Sequence, residues 1–220
     1  MSRPQRTRTV LGIDLAGSPA RNTGCCVLIG RWTARTSILH SDDEILQAVF
    51  EARPELTLID APLSLPKGRS SIEDRTGPHF RECDRELRRL GIRFFPLTLG
   101  PMRMLTERGM RLATTLRTHH YAIEEGYPGG AQDLLGIPRK QAGTDALQTA
   151  LRKAGLGGDL RRGPLTHDEL DAVTLAWVAR QFVEGKARTI GDPSEGLMVL
   201  PGAPSSAGRP ADRPRRGRQE

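Results

Sequence analysis

The sequence lacks long apolar runs and has few aromatic residues, and both shortages narrow what the protein can be. No apolar stretch approaches the roughly 18 residues needed to cross a bilayer. The basic start of the chain is not followed by the hydrophobic segment of a secretory signal. We therefore expect a cytoplasmic protein with no membrane partner. Aromatic residues make up 4% of the chain, so stacking platforms for single-stranded nucleic acid are not indicated and recognition of backbone or shape is favoured.

Cysteine is also scarce, which argues against a disulfide framework and against a structural zinc site. The three cysteines are Cys25, Cys26 and Cys83, an odd number, and no second pair completes a four-ligand zinc site. The adjacent pair lies in an apolar segment with the composition of a β-strand. We interpret all three as reduced, structural thiols.

The net charge of +7 is concentrated at the two ends of the 220-residue chain. Residues 1–8 carry +3 and residues 203–220 carry +3, which leaves +1 for everything between them. Such basic ends can attract phosphate backbones without sequence preference, and they can equally be solubilising or disordered features. We predict a flexible basic segment at 1–8, one domain at 9–202 and a disordered Arg/Pro-rich tail at 203–220.

Apolar runs alternate with breakers in an order typical of an α/β domain with a mixed central sheet. Strands are predicted at 9–16, 24–29, 36–39, 55–60 and 121–125, with a further one at 195–201. Helical patterns occupy 41–53, 78–118, 132–135, 145–154 and the segment that follows Thr166. The helices after Ser41 and Thr166 each begin with a capping box, in which Glu44 and Glu169 complete the motif.

Four carboxylates have unusual positions. Asp14 lies inside an apolar strand, Asp60 ends another strand, and Asp168 and Asp171 lie three residues apart at the start of the last helix. A charge within a buried strand is costly unless a cation or hydrogen-bond donors compensate it. Oxygen ligands grouped in this way suit Mg²⁺ or Mn²⁺, and two such ions can promote phosphodiester hydrolysis. Asp60 as a turn residue and Asp168 as a helix cap are the structural alternatives.

Three segments carry a resemblance to a family of predicted nucleases with an RNase H-like fold, classed among domains of unknown function. They are Val-Leu-Gly-Ile-Asp14-Leu-Ala-Gly, Leu-Ile-Asp60-Ala-Pro and His-Asp168-Glu-Leu-Asp171-Ala. More distantly, the chain is similar to RuvC-type resolvases, although Asp60 stands where those have glutamate, so junction cleavage is not implied. The resemblance implies a five-stranded sheet ordered 3-2-1-4-5 with its second strand antiparallel, and a last helix that covers Asp14 and Asp60.

An Arg-rich helical insertion at about 63–118 follows the fourth strand and is the candidate element for binding phosphate. Its candidate substrate-binding residues are Arg81, Arg85, Arg88 and Arg89. The alternative is that these arginines pair with neighbouring acids on a solvated helix face. Glu125 also has two interpretations, since it can be a fifth metal ligand or the partner of an arginine from the insertion. His167 is a candidate base.

The sequence therefore predicts a nuclease that uses Mg²⁺ or Mn²⁺, with two ions, to hydrolyse DNA or RNA. The first alternative is a non-catalytic module of the same fold that binds nucleic acid or protein. The second is an ATP-dependent phosphotransferase, because the segment from Gly12 to Ser18 resembles a phosphate loop, but the chain lacks a second such signal and a Gly-Gly adenosine loop. The choice between DNA and RNA and the oligomeric state stay open.

Overall fold

The computed structural model describes residues 8–30 and 32–202. Within this part of the chain, eight strands form one sheet: β1 (Thr9–Asp14), β2 (Thr23–Ile29), β3 (Thr33–Leu39), β4 (Thr57–Ile59), β5 (Ile123–Gly126), β6 (Gly157–Gly158), β7 (Ala187–Asp192) and β8 (Gly196–Pro201). The helices of the same part are α1 (Asp42–Ala52), α2 (Glu82–Arg89), α3 (Gly100–Thr118), α4 (Pro128–Leu135), α5 (Thr144–Lys153) and α6 (His167–Val183). The fold is therefore mixed α/β.

The sheet has the order β6-β3-β2-β1-β4-β5-β8-β7. β2 is antiparallel to β1 and β3, while β1, β4 and β5 run parallel. The five-stranded sheet implied by the resemblance is too small. Strands β1 to β5 lie side by side in the order β3-β2-β1-β4-β5, and β6, β8 and β7 extend the sheet at its two edges.

Local sequence signals determine where helices α1 and α6, which flank the first strands of the sheet, begin. Ser41 and Glu44 form a capping box at the start of α1, and Thr166 and Glu169 form one at the start of α6, so both predicted motifs are confirmed. Arg53 ends α1 in a left-handed conformation with φ of 45°. Each box satisfies backbone N–H groups that the first helical turn leaves unpaired.

Two hydrophobic cores lie on the two faces of the sheet. Helix α6 packs its apolar side chains on one face, where the core includes Val10, Leu28 and Leu58. Helices α1 and α3 cover the other face, where the core includes Ile13 and Ile59. Because side chains alternate along a strand, neighbouring residues of β1 and β4 enter different cores.

The insertion differs from the continuous helical segment predicted at 78–118. It contains α2 and α3 separated by a loop, because Gly91 adopts a φ of 73° after α2 and Pro96 lies in the loop before α3 begins at Gly100. The backbone N–H groups of Lys67 and Glu82 both donate to the carboxylate of Glu195, at 2.7 Å each. The insertion is thereby attached to the turn between β7 and β8.

Strand β7 was not among the predicted elements. It pairs antiparallel with β8 at the edge of the sheet, and Arg188 and Thr189 are exposed, so it lacks the apolar alternation of a strand with one buried face. All three cysteines are free and buried, which agrees with the interpretation as reduced, structural thiols, and burial raises the pKa of Cys25 to about 12. No helix of the described residues is long and apolar enough for a membrane span. The predicted tail at 203–220 and residues 1–7 lie outside the described residues.

Candidate functional site

Asp14 and Asp60 lie at the carboxyl ends of two adjacent parallel strands. Asp14 is the last residue of β1, and Asp60 follows β4 directly. Ile13 is the register partner of Ile59, and the Asp60 N–H donates to the carbonyl oxygen of Ile13 at 2.8 Å. Since paired strands are roughly 4.8 Å apart, the two aspartates are neighbours across the sheet.

Both aspartates belong to the face of the sheet that α6 covers. Ile13 and Ile59, the residues that precede them, pack in the core formed with α1 and α3. Alternation therefore turns Asp14 and Asp60 toward the α6 side. Each is partly buried, so both carboxylates combine a rigid strand position with access to solvent.

Helix α6 approaches this edge closely because two strand residues have no side chain. A Cβ on Gly12 would lie 2.2 Å from the carbonyl oxygen of Ala172, and one on Gly24 would lie 2.0 Å from that of Asp168. Gly24 is the register partner of Asp14. The backbone of Asp168 therefore packs against β2 at Gly24, next to Asp14 at the end of β1.

Asp171 is buried one turn further along α6, with 4% of its surface exposed. One of its carboxylate oxygens accepts a hydrogen bond of 2.7 Å from the side-chain amide of Gln132, which α4 supplies. The same amide lies 3.3 Å from the hydroxyl of Thr174. Gln132 itself is 1% exposed, so the contact holds the Asp171 carboxylate in a fixed orientation.

These four aspartates have the ligand chemistry of a Mg²⁺ or Mn²⁺ site, because hard cations prefer carboxylate oxygens. Their backbone positions bring them to one edge and one face of the sheet. Across residues 8–30 and 32–202, however, no three Asp, Glu, His or Cys side chains converge into a group that could hold a metal ion. The donor set thus fits the metal, while the carboxylates would have to turn toward a common point to bind it.

Glu125 pairs with an arginine of the insertion, which was one of its two predicted interpretations. It lies on β5 with Ile123, whose side chain enters the α1 and α3 core, so Glu125 faces away from α6. Its carboxylate accepts hydrogen bonds from Arg81 at 2.5 and 2.8 Å and from the Leu63 N–H at 2.9 Å. Glu125 is 5% exposed and is already neutralised by the guanidinium.

The position of Arg81 does not fit its predicted role in substrate binding. Its side chain is 2% exposed, and besides Glu125 it donates to both carboxylate oxygens of Asp84, at 3.0 and 3.2 Å. It also lies 3.3 Å from the hydroxyl of Ser64. Every guanidinium N–H direction thus has an acceptor, which leaves no donor for a phosphate.

The other three predicted arginines of α2 are exposed but differ in their partners. Arg85 and Arg89 both pair with Glu82, at 3.1 and 2.8 Å, as the intrahelical alternative predicts. The guanidinium carbon of Arg88 instead lies 3.9 Å from the centre of the Phe80 ring. Among the described residues, Arg88 has no carboxylate partner.

A cavity of about 800 Å³ opens between the insertion and the edge of the sheet where Asp60 follows β4. Asp60, Asp171 and Gln132 line it on the side of the sheet and α6. The segment of α2 and the loop that follows contributes Arg88, Arg93, Phe94 and Phe95, and the buried cluster of Arg81, Asp84 and Glu125 also lines the cavity. The cavity therefore joins two of the candidate metal ligands to positively charged groups.

Tyr127 and Arg139 complete the cavity on the side of α4. The Tyr127 hydroxyl donates to the carbonyl oxygen of Arg93 at 2.6 Å, and a Cβ on Gly130 would lie 2.8 Å from the tyrosine ring. Burial, assisted by the negative charge of Asp60, raises the pKa of Tyr127, while Arg139 opposes the shift. The phenol therefore stays protonated near neutral pH and lies within electrostatic range of Asp60.

The sequence alone does not identify Gln132, Tyr127, Arg93 or Arg139 as site residues. Only the Gly-Tyr127-Pro-Gly segment after β5 carries a signal, because a loop at the carboxyl end of a parallel strand is a usual place for ligand contacts. His167, the candidate base, is exposed at the first position of α6, and it is not among the residues that line the cavity.

Comparisons with known proteins identify a family. Comparison with curated protein sequences finds no match. Among solved structures, Thermus thermophilus RuvC aligns with 80% of this chain and 96% of its own, with a TM-score of 0.42 and 14% identity. A family model described as "Protein of unknown function (DUF429)" matches residues 12–196. This match spans well over half of the sequence, so the chain belongs to the DUF429 family.

Proposed function

We propose that this protein is a metal-dependent nuclease of the RNase H-like type, which hydrolyses phosphodiester bonds of DNA or RNA. Its candidate metal ligands are Asp14, Asp60, Asp168 and Asp171. The observation that carries the proposal is the convergence of these four backbone positions on one face and one edge of the sheet, next to a cavity that the exposed Arg88 lines.

The four aspartates are positioned or stabilised in the proposed site by different parts of the fold. Asp14 and Asp60 extend from paired strands, so their separation is set by the sheet. Asp171 is oriented by Gln132, and Asp168 lies in the first turn of α6, where the helix dipole stabilises its negative charge. A bound Mg²⁺ or Mn²⁺, in one or two copies, supplies Lewis-acid stabilisation of phosphoryl oxygens and lowers the pKa of water.

The reaction in this proposal is a hydrolysis. Water adds to phosphorus, the bond from phosphorus to the leaving oxygen breaks, and the products are a phosphomonoester and a hydroxyl group. Arg88, at the cavity wall, is placed to contact the phosphate. Arg85 and Arg89 can assist from outside the cavity, because exposed ion pairs such as theirs with Glu82 contribute little and exchange easily for phosphate.

The test is a cleavage assay on labelled DNA and RNA in single-stranded, duplex and branched forms, with Mg²⁺ or Mn²⁺. We expect the wild type to cleave at least one substrate, and Asp14→Asn and Asp171→Asn to lose more than roughly 100-fold in rate, the upper end for residues that only support metal ligands. Asp145→Asn is the matched control, since Asp145 is an exposed acid in the first turn of α5.

A non-catalytic module that binds nucleic acid or protein is the second candidate. It is favoured by the absence, among the described residues, of three side chains that converge on one metal position. The same assay separates the two candidates. Binding of an oligonucleotide without cleavage, together with a thermal midpoint that Mn²⁺ does not raise, would support the module and contradict the nuclease.

A further inference from the structure

The volume of the cavity beside Asp60 and Asp171 limits which forms of nucleic acid can enter it. Its volume of about 800 Å³ lies within the usual range of roughly 300–1,000 Å³ for sites that enclose small ligands. A nucleotide can enter such a space, whereas an intact double helix cannot. Enzymes that act on a group inside a duplex solve this problem by extruding the nucleotide or by using single strands.

The chemistry of the cavity walls matches the parts of a nucleotide. Asp60, Asp171 and Gln132 supply polar groups to its lining, together with Asp84 and Glu125, which Arg81 neutralises. Arg88 lines the same cavity, with its guanidinium carbon 6.0 Å from the ring centre of Phe94 and 3.9 Å from that of Phe80. The wall therefore offers a positive charge for a phosphate beside aromatic surface for a base.

Phe95 is the most unusual residue of this wall. It is 69% exposed, although a large aromatic side chain in solvent forfeits its hydrophobic stabilisation. Bases stack on exposed aromatic rings, and each such contact is worth roughly 1–3 kcal/mol. The low aromatic content of the sequence hides this arrangement, because Phe80, Phe94, Phe95 and Tyr127 gather at one place. The expectation that the protein has no stacking platform is therefore not supported by the cavity.

We infer that the cavity accepts a single unpaired nucleotide of a nucleic-acid strand, with the base against Phe94 and Phe95 and a phosphate at Arg88. This inference rests on the proposed function, because it assigns the substrate class of the same site. The adjoining phosphodiester would then lie at the edge of the sheet that carries Asp60 and Asp171. Single strands and unpaired ends are substrates on this account, and a fully paired, blunt duplex is not.

The experiment measures binding and cleavage separately with the full-length protein. Fluorescence anisotropy at 150 mM salt without divalent ions gives the Kd for a labelled 12-nucleotide oligothymidine and for a blunt duplex of the same strand length, formed from two separate complementary strands without unpaired nucleotides. We expect the single strand to bind at least tenfold more tightly than the duplex. Phe95→Ala and Arg88→Gln should each weaken single-strand binding about tenfold, and thermal unfolding checks that both variants fold. Arg152→Gln, an exposed arginine of α5, should change the Kd less than twofold and controls for loss of one positive charge.

The binding and cleavage results distinguish a failure of the cavity assignment from a failure of the proposed nuclease function. Preferential single-strand binding that depends on Phe95 and Arg88, but without cleavage on addition of Mn²⁺, would contradict the nuclease and leave the cavity assignment standing. Equal Kd values for single strand and duplex, no binding of either, or full affinity in both variants would overturn the inference. Cleavage of a blunt duplex at the rate of a single strand would also overturn it, while supporting the nuclease.

Discussion

Asp60 and Glu125 occupy similar places on neighbouring parallel strands and line the same cavity, yet they differ in burial and in the face of the sheet to which they belong. Asp60 follows β4, is partly exposed and lines the cavity. Glu125 lies on β5 as the register partner of Ile59, is 5% exposed and receives three hydrogen bonds of charged or backbone donors. Both are acids at the same edge of the sheet, but the Glu125 carboxylate is held by Arg81, while Asp60 stays a candidate metal ligand.

Asp60 and Glu125 differ because the alternation of side chains along the strands places them on opposite faces of the sheet, and because the insertion covers Glu125. The residue that precedes Asp60 packs against α1 and α3, so Asp60 turns toward α6, while Glu125 shares the face of Ile123 and meets α2. There Arg81 neutralises it together with Asp84. An acid at the end of a buried strand is therefore not by itself a sign of catalysis, because a buried arginine can give it a purely structural role.

The largest effect is expected from removing the cation of the buried cluster. Arg81→Met leaves the carboxylates of Glu125 and Asp84 in the interior without their partner, and breaking a buried ion pair in this way costs about 3–5 kcal/mol. Urea unfolding should show this loss in the free energy of unfolding. Arg89→Met is the matched control, because the Arg89 and Glu82 pair is exposed and should contribute at most about 1 kcal/mol. Equal effects of the two substitutions would show that the cluster does not hold the insertion.

A smaller effect is expected from separating α6 from β2 beside Asp14. The Cβ introduced by Gly24→Ala would meet the Asp168 backbone at 2.0 Å, so the first turn of α6 must move, at a cost of about 1–3 kcal/mol. Nuclease activity should fall together with stability, because Asp168 moves relative to Asp14. Gly163→Ala serves as the control, since nothing lies within 4 Å of its Cβ position. Wild-type behaviour of Gly24→Ala would contradict the close packing of α6.

The smallest effect concerns the titration of Tyr127. Its pKa is raised by burial and by the charge of Asp60, so the neutral phenol is favoured in the folded state, and its stabilising contribution is lost as pH rises through the folded pKa. Asp60→Asn removes one of the causes that raise the pKa of Tyr127 and should move the tyrosinate absorbance at 295 nm to lower pH. Glu125→Gln should leave it unchanged. An unaltered titration in Asp60→Asn would place Asp60 away from the cavity.

Features that depend on local sequence could be predicted from the residues, and the order of β1 to β5 followed from the resemblance, whereas the contacts of the insertion could not be predicted. The capping boxes at Ser41 and Thr166 need only four residues each, and both form. The role of Arg81 could not be read from the sequence, because it depends on how α2 meets Glu125, 44 residues further along the chain. The cavity is hidden for the same reason, since its walls come from segments that only the folded insertion brings together.

The most direct test of the comparison is Mn²⁺ binding measured by isothermal titration calorimetry. We expect the wild type and Glu125→Gln to bind Mn²⁺ with similar affinity, and Asp14→Asn and Asp60→Asn to weaken binding by more than roughly tenfold. Glu125→Gln remains a fair control because Arg81 keeps Asp84 as a partner. Loss of Mn²⁺ binding in Glu125→Gln with unchanged binding in Asp60→Asn, or no binding by the wild type, would contradict the assignment of the metal site to the α6 face.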